Sequence, residues 1–196
     1  MGTAIIILAA GNSSRMGKPK QLLTYNGKTL LDIAITESLK TTFCPVVVVL
    51  GAYAEEIKKH SQNPQVCYCI NESWDQGMSS SIKAGLKYSI ENDENIENVI
   101  IAVADQVHLS CEILSALEEK LRSSGKGIVT SSYSGISGTP SLFSRKYFGE
   151  LLNLVGQSGA KKIIEANAGD TTTISFDQGV IDIDTPADYN KLINNK

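Results

Sequence analysis

Cysteine and histidine are scarce in this sequence, and their scarcity excludes several kinds of site. The chain of 196 residues has four cysteines and two histidines. No two cysteines form a CxxC pair, and His60 and His108 do not stand at a spacing that would complete a zinc site with them. We therefore expect free, buried thiols, as in a protein of a reducing compartment.

A surplus of basic residues and a long apolar run are also lacking. The net charge is −3, whereas proteins that bind the phosphate backbone of nucleic acids usually carry a basic surplus. The first apolar run, residues 4–10, is too short to cross a bilayer and lacks the basic flank of a secretory signal. We expect a cytoplasmic protein that binds neither nucleic acid nor a membrane.

Short β-rich segments alternate with segments of helical periodicity along the chain. Compact apolar runs, typical of strands buried on both faces, occupy residues 3–10, 45–51, 66–70 and 98–105. Amphipathic segments such as residues 29–40 lie between them. The alternation predicts an α/β fold, a single Rossmann-like three-layer domain over residues 1–196 with a mainly parallel sheet.

In such sheets ligands bind beyond the carboxyl ends of the strands, and the loop after the first strand is the most distinctive segment there. Its sequence is LAAGNSSRMGKPKQLL. Gly11 and Gly17 let the backbone turn sharply and bring N–H groups close to a ligand. Arg15, Lys18 and Lys20 add positive charge. A basic, glycine-rich loop suits a triphosphate; the alternative is an exposed basic turn without a ligand.

Two familiar phosphate-binding loops do not match this segment. The dinucleotide fingerprint GxGxxG is absent because Asn12 and Ser13 follow Gly11. The P-loop GxxxxGK[ST] also fails, since Gly17 comes one residue late and Pro19 stands where a Mg²⁺-binding Ser or Thr is required.

A second polar segment, NESWDQGMSSSIKAGL, follows the third predicted strand. Gly77 permits a tight turn, and Ser79 and Ser81 offer hydroxyls and free N–H groups at the start of a helix. Any one of these serines could equally be an ordinary helix cap. Trp74 could shield a nucleotide base or fill a pocket at the surface.

Carboxylates at two strand ends form a candidate metal site. Asp105 ends the predicted strand NVIIAVAD, and Asp182 and Asp184 would face the same side of a strand over VIDID. Carboxylate oxygens are the ligands that Mg²⁺ prefers. The alternative for Asp105 and Asp184 is to cap the turn or helix that follows.

The pattern LAAGxSxRMGxxKxLL is similar to the signature of the MobA-like NTP transferases, and the ending PKQLL resembles their molybdenum cofactor cytidylyltransferase branch. The resemblance implies a fold of the nucleotide-diphospho-sugar transferase type, a loop that wraps a triphosphate and a strand-end Asp that binds Mg²⁺. The residues it implies are Ala10, Gly11, Ser13, Gly77, Ser79 and Ser81 for the nucleotide, Arg15, Lys20 and Asp105 for catalysis, and Asp105, Asp182 and Asp184 for the metal.

The activity implied by this resemblance is that of a Mg²⁺-dependent nucleotidyltransferase. A phosphate oxygen of the acceptor would attack the α-phosphorus of an NTP, and pyrophosphate would leave. In the cytidylyltransferase branch the NTP is CTP, the acceptor is molybdopterin, and a molybdenum enzyme is the client that receives the product. Two positions depart from the family pattern: Val107 replaces the usual Pro, and Gln157 replaces the usual Asp of a GDxGA segment.

Three alternatives to the cytidylyltransferase remain open. A GTP-using enzyme and a sugar- or polyol-phosphate nucleotidyltransferase would share the loop and the strand-end Asp. A non-catalytic nucleotide-binding chaperone for a cofactor enzyme belongs to a different class, and it would bind nucleotide without releasing pyrophosphate.

Overall fold

The computed structural model describes residues 2–133, 135–181 and 183–194. Asp182, one of the predicted metal ligands, lies outside the described residues. The strands in the described ranges are β1 (Gly2–Ala9), β2 (Thr24–Tyr25), β3 (Lys28–Thr29), β4 (Val46–Leu50), β5 (Cys67–Ile70), β6 (Ile96–Val103), β7 (Ile128–Tyr133), β8 (Ile136–Ser144) and β9 (Thr171–Ser175). The α-helices there are α1 (Leu30–Leu39), α2 (Ala54–His60), α3 (Met78–Asn92), α4 (Cys111–Ser124), α5 (Phe148–Leu152), α6 (Lys161–Ala166) and α7 (Pro186–Asn194).

The main sheet has the strand order β5-β4-β1-β6-β8-β7-β9. β1 lies near its centre and pairs in parallel with β4 and β6, so that Ile7 faces Val48 on one side and Ala102 on the other. β8 alone among these strands runs antiparallel to both of its neighbours, β6 and β7. The mainly parallel sheet confirms the predicted α/β class.

Helices cover both faces of the sheet and create two apolar cores. Leu31 of α1, Ile57 of α2 and Leu117 of α4 pack on one face. The other face holds α3, α5 and α6, through residues such as Ile82 and Leu151. Successive side chains of a strand point to opposite faces, so a central strand with a core on each side must be apolar throughout. This explains the unbroken apolar run in β1 and confirms the three-layer arrangement.

A third, smaller apolar cluster lies at the carboxyl edge of the sheet. It consists of Met16, Leu23, Leu30, Val107, Ile183 and Leu192, all of them buried. The cluster ties the loop after β1 to the turn after β6 and to the segment around α7. Val107, which replaces the usual Pro of the family pattern, packs in this cluster and is only 6% exposed.

Two segments differ from the sequence-based predictions. β8 is a strand that the apolar runs of the sequence do not include. Thr139 and Pro140 are left out of the ladder at an irregularity of the β7–β8 pairing, which lets this strand contain a proline. The predicted strand over residues 180–184 is not formed at the positions described there: a short 3₁₀ turn, Asp177–Val180, ends the preceding segment instead. Asp184 therefore lies in irregular chain just before α7.

The described helices include none with the length and apolar character needed to cross a membrane.

Candidate active site

A cavity of about 460 Å³ opens at the carboxyl ends of β1 and β6. Its wall comes from the loop after β1, the segment before α3, the end of β6 and the segment before α7. The sequence-predicted residues in this wall are Ala10, Gly11, Ser13, Arg15, Lys20, Gly77, Ser81, Asp105 and Asp184. Ser79 is not part of the wall, and its side chain is buried at 1% exposure.

The loop after β1 is held in a tight turn centred on Ser13. Ser13 has a left-handed backbone with φ of 49°, a conformation that is uncommon for residues other than glycine. Its carbonyl oxygen accepts the N–H groups of Met16 at 2.8 Å and Gly17 at 3.1 Å. Because the Met16 side chain is buried in the third cluster, the loop is anchored at its middle and leaves Arg15 exposed.

Gln21 fixes this loop from below, a role that the sequence analysis missed. Its side chain is 2% exposed, and its Nε2 donates to the carbonyl oxygens of Ala9 at 2.8 Å and Gly11 at 3.1 Å. The Ser13 hydroxyl donates to Gln21 Oε1 at 3.5 Å and accepts the backbone N–H of Lys20 at 3.1 Å. The buried amide thus provides the hydrogen-bond donor that the carbonyl oxygens of Ala9 and Gly11 need.

Two cations and two carboxylates converge inside the cavity. Lys20 Nζ forms ion pairs with the carboxylates of Asp105 and of Asp184, the latter at 3.2 Å. Arg15 donates to Asp184 Oδ2 at 2.7 Å. The side chain of Asp105 is 9% exposed and that of Lys20 is 21% exposed, so this pair is well shielded from water. Lys20 thus contacts both carboxylates, although the sequence had predicted that these two carboxylates bind a metal ion.

The carboxylates fit a divalent cation. They are hard oxygen ligands, as Mg²⁺ and Mn²⁺ require, and both contact one cationic atom, Lys20 Nζ, so the space between them can hold a positive charge. Asp184 is aimed by the cap of α7, in which the Asp188 carboxylate accepts the N–H of Thr185 at 2.9 Å and its hydroxyl at 2.7 Å. These hydrogen bonds, the hydroxyl's foremost, lower the pKa of Asp188.

Asn71 organises the start of α3, which contributes Met78 and Ser81 to the cavity wall. Its Nδ2 donates to the hydroxyls of Ser80 at 2.8 Å and Ser81 at 3.0 Å, and its Oδ1 accepts the N–H of Ser73 at 3.0 Å. Asn71 is 6% exposed. Its place directly after a predicted strand was the available signal for this role.

Gly77, Gln157 and Trp74 also line the cavity. Gly77 has φ of 95°, and a Cβ there would collide with the side-chain amide of Gln157. Trp74 is packed closely over Gly51, where an added Cβ would lie 2.6 Å from the Trp74 Cβ. Trp74 packs against the apolar core and also borders the cavity, so it fills a pocket there, while shielding of a nucleotide base stays a prediction.

A mainly parallel open sheet that carries a glycine-rich basic loop and paired carboxylates at its carboxyl edge defines an α/β protein of the doubly wound type, which binds its ligand at that edge. The chain belongs to the MobA-like NTP transferase domain family, whose model matches residues 5–172.

Two curated relatives share part of their length with this chain. A nicotine blue oxidoreductase of Paenarthrobacter nicotinovorans is 34% identical over 113 residues, which are 57% of this chain and 53% of that protein. The bifunctional protein GlmU of Francisella tularensis subsp. novicida is 27% identical over 175 residues, 86% of this chain and 37% of that protein. The chain therefore spans about half or less of the length of these relatives.

Solved structures match the chain over nearly its whole length. An Rv0371c homologue from Mycobacterium sp. strain JC1 has 29% identity and a TM-score of 0.87, with 98% of this chain and 96% of that chain covered. Rv0371c of Mycobacterium tuberculosis in complex with manganese has 22% identity, a TM-score of 0.81 and full coverage of both chains. Molybdopterin-guanine dinucleotide biosynthesis protein A of Archaeoglobus fulgidus has 16% identity and a TM-score of 0.72, with 98% and 97% covered. The last two likenesses, at low identity, concern the fold alone.

Proposed function

We propose that the protein transfers a nucleoside monophosphate from an NTP to a phosphorylated acceptor. An oxygen of the acceptor phosphate forms a bond to the α-phosphorus, the bond from that phosphorus to the bridging oxygen of the β-phosphate breaks, and pyrophosphate leaves with the electron pair. The observation that carries this proposal is the convergence of Arg15 and Lys20 with Asp105 and Asp184 in one cavity.

The residues of the loop would position and neutralise the phosphates. Arg15 can grip phosphate oxygens through two parallel hydrogen bonds, and Lys20 supplies a point charge. Gly11 and Ser13 would hold the triphosphate at the tight turn. An acceptor phosphate is already ionised and needs no general base, in keeping with a cavity wall that contains no histidine among the described residues.

Asp105 and Asp184 would hold a divalent cation, proposed to be Mg²⁺, which when bound would offset the charge of the phosphates. Asp182 stays a proposed further ligand. The manganese complex of Rv0371c shares this fold, which supports a divalent metal in the proposal.

The proposed donor is CTP and the proposed acceptor is molybdopterin, with a molybdenum enzyme as client. The support is the PKQLL ending of the loop and the fold shared with molybdopterin-guanine dinucleotide biosynthesis protein A of A. fulgidus; GTP is the alternative donor. The nucleoside would lie against Gly77 and Ser81, while Ser79 would contribute through its backbone. The proposed compartment is the cytoplasm, in keeping with the four free cysteines. The expectation that these thiols are buried was wrong, since Cys44 is exposed and the other three are partly exposed.

Thermal unfolding with CTP, GTP, ATP or UTP, with and without Mg²⁺, tests this proposal in the wild type and in Asp105→Asn. A nucleotide at about 100 times its Kd adds about 2.7 kcal/mol to stability. We expect the largest shift with CTP and Mg²⁺ and its loss in Asp105→Asn. Asp177→Asn, at an exposed aspartate, is the control and should behave as the wild type.

Catalysis is then tested by pyrophosphate release with CTP and molybdopterin. Release by the wild type and not by Asp105→Asn is expected. Nucleotide binding without pyrophosphate release would instead favour the non-catalytic chaperone. No stabilisation by any nucleotide at millimolar concentration would contradict the whole proposal.

A further inference from the structure

Lys20 occupies an unusual position for a phosphate-binding lysine, because its ammonium lies between the two carboxylates proposed to hold the metal. Its Nζ pairs with Asp105 and, at 3.2 Å, with Asp184. The Asp105 side chain is 9% exposed, which makes its pairing with Lys20 stronger than that of a surface pair. Arg15 extends the cluster by its contact with the far oxygen of Asp184.

Each of the two proposed ligands would meet a like charge if it bound alone. A divalent cation on Asp105 and Asp184 must displace the Lys20 ammonium, which repels it. A triphosphate gripped by Lys20 and Arg15 would face the same two carboxylates without their cations. When the two ligands bind together, the metal pairs with the carboxylates that Lys20 leaves, and the triphosphate pairs with the cations that the carboxylates leave.

We propose that Lys20 is an exchangeable internal counter-ion that couples metal binding to nucleotide binding. Free metal then binds weakly because it competes with Lys20, and the metal–nucleotide complex is the species that the cavity takes up. Such coupling is reciprocal, so the metal strengthens nucleotide binding by the factor by which the nucleotide strengthens metal binding. The nucleotide half of this inference rests on the proposed function, whereas the competition between Lys20 and the metal does not.

The test is the affinity for Mn²⁺ without nucleotide, measured by isothermal titration calorimetry and by electron paramagnetic resonance of the free ion. Lys20→Met should bind Mn²⁺ about tenfold more tightly than the wild type, a typical coupling factor. The same variant should bind CTP with Mg²⁺ about tenfold more weakly. These opposite changes distinguish an exchange role from general damage to the fold, because damage would lower the affinity for both ligands.

Three matched variants test whether the Lys20 charge is the cause of the change in Mn²⁺ affinity. Lys20→Arg keeps the charge and should keep the low Mn²⁺ affinity of the wild type. Lys18→Met removes a charge from an exposed position of the same loop and should leave the Mn²⁺ affinity unchanged. Arg15→Met should have an effect smaller than that of Lys20→Met, because Arg15 is 66% exposed and pairs with Asp184.

Equal or weaker Mn²⁺ binding by Lys20→Met, in protein whose circular dichroism matches the wild type, would overturn the inference. A failure of all nucleotides to bind would refute the proposed function but would leave the Mn²⁺ comparison as a valid test. An increase of Mn²⁺ affinity in Lys18→Met equal to that in Lys20→Met would also overturn it, since the effect would then be one of net charge.

Discussion

Gln21 shows how one residue can determine the shape of the loop proposed to bind phosphate without contributing a charge to it. The amide is buried and spans the carbonyl oxygens of Ala9 and Gly11 while it accepts the Ser13 hydroxyl. Ser13 in turn accepts the backbone N–H of Lys20. The position of the Lys20 side chain therefore depends on a neighbour that carries no charge.

Replacement of Gln21 by Met should weaken both the fold and nucleotide binding. Two carbonyl oxygens lose their donor, which costs about 1–3 kcal/mol of stability, and the loop loses its support. We expect CTP affinity to fall about tenfold, one factor of ten per 1.4 kcal/mol, as measured by quenching of the single Trp in the chain, which borders the cavity. Gln65→Met, at an exposed glutamine, is the control; unchanged CTP affinity in Gln21→Met would contradict the supporting role.

Gln21→Glu adds a pH test of the same contact. A carboxylate would face two carbonyl oxygens, whereas the protonated acid can donate to one of them. We expect the CTP affinity of Gln21→Glu relative to the wild type to rise as the pH falls from 8 to about 5, where a raised Glu pKa would be crossed. A ratio that does not depend on pH would show that the amide donor is not needed.

At the scale of elements, the site depends on three segments that are distant in the chain and share one apolar cluster. Met16 comes from the loop after β1, Val107 from the turn after β6, and Ile183 from the segment before α7. Asp105 and Asp184 lie within two residues of Val107 and Ile183. Packing in this cluster therefore sets the separation of the two carboxylates.

Met16→Ala should loosen this junction. A buried Met replaced by Ala costs about 2–5 kcal/mol, and we expect a loss at the lower end because the cluster lies near the surface and can relax. Urea unfolding measures the stability, and the Mn²⁺ titration measures the carboxylate pair. Met78→Ala is the stability control because Met78 is 43% exposed; a Met16→Ala variant as stable as this control would show that the cluster does not hold the segments together.

At the scale of the whole molecule, the site and a second polar cluster lie at opposite ends of the strands of the sheet. Asp170, just before β9, accepts the Tyr147 hydroxyl at 2.5 Å, the Lys146 ammonium at 2.9 Å and the N–H of Gly127 at 3.1 Å. These residues stand at the amino ends of β7 and β9, whereas the cavity lies at carboxyl ends. The Tyr147 hydroxyl, and after it Lys146, lowers the pKa of Asp170 to about 2 from an ordinary 3.8.

A folded-state pKa below the unfolded value means that Asp170 stabilises the fold fully above pH 3.8 and loses this contribution as the pH falls toward about 2. We expect the acid unfolding of Asp170→Asn to lack this part of the pH dependence, with lower stability than the wild type at pH 7. Thermal unfolding between pH 2 and 7 measures it, with Asp177→Asn as the control. CTP affinity at pH 7 should not change, since the cluster is remote from the cavity; parallel acid curves for Asp170→Asn and the wild type would refute the assignment.

The binary pattern of the sequence was sufficient for most of the fold, because buried parallel strands must be apolar on both sides and helices between them must be amphipathic. β1, β4, β5 and β6 were predicted in this way. β8 was not, since glycine and proline in its first half are typical of turns, and its place between β6 and β7 depends on pairing over long separations. The strand predicted over residues 180–184 does not form at the positions described there, because alternation in a short segment does not ensure a neighbouring strand with which to pair.

The sequence by itself determined which chemical groups the site contains: a glycine-rich loop with cations after the first strand, and carboxylates near the ends of other segments. Local spacing carries this information because each feature is confined to a few residues. Only the tertiary structure decided that Lys20 lies on Asp105 and Asp184 and that Gln21 is buried beneath the loop. Those contacts arise from packing between segments far apart in the chain, and their energies depend on shielding from water, which no local pattern encodes.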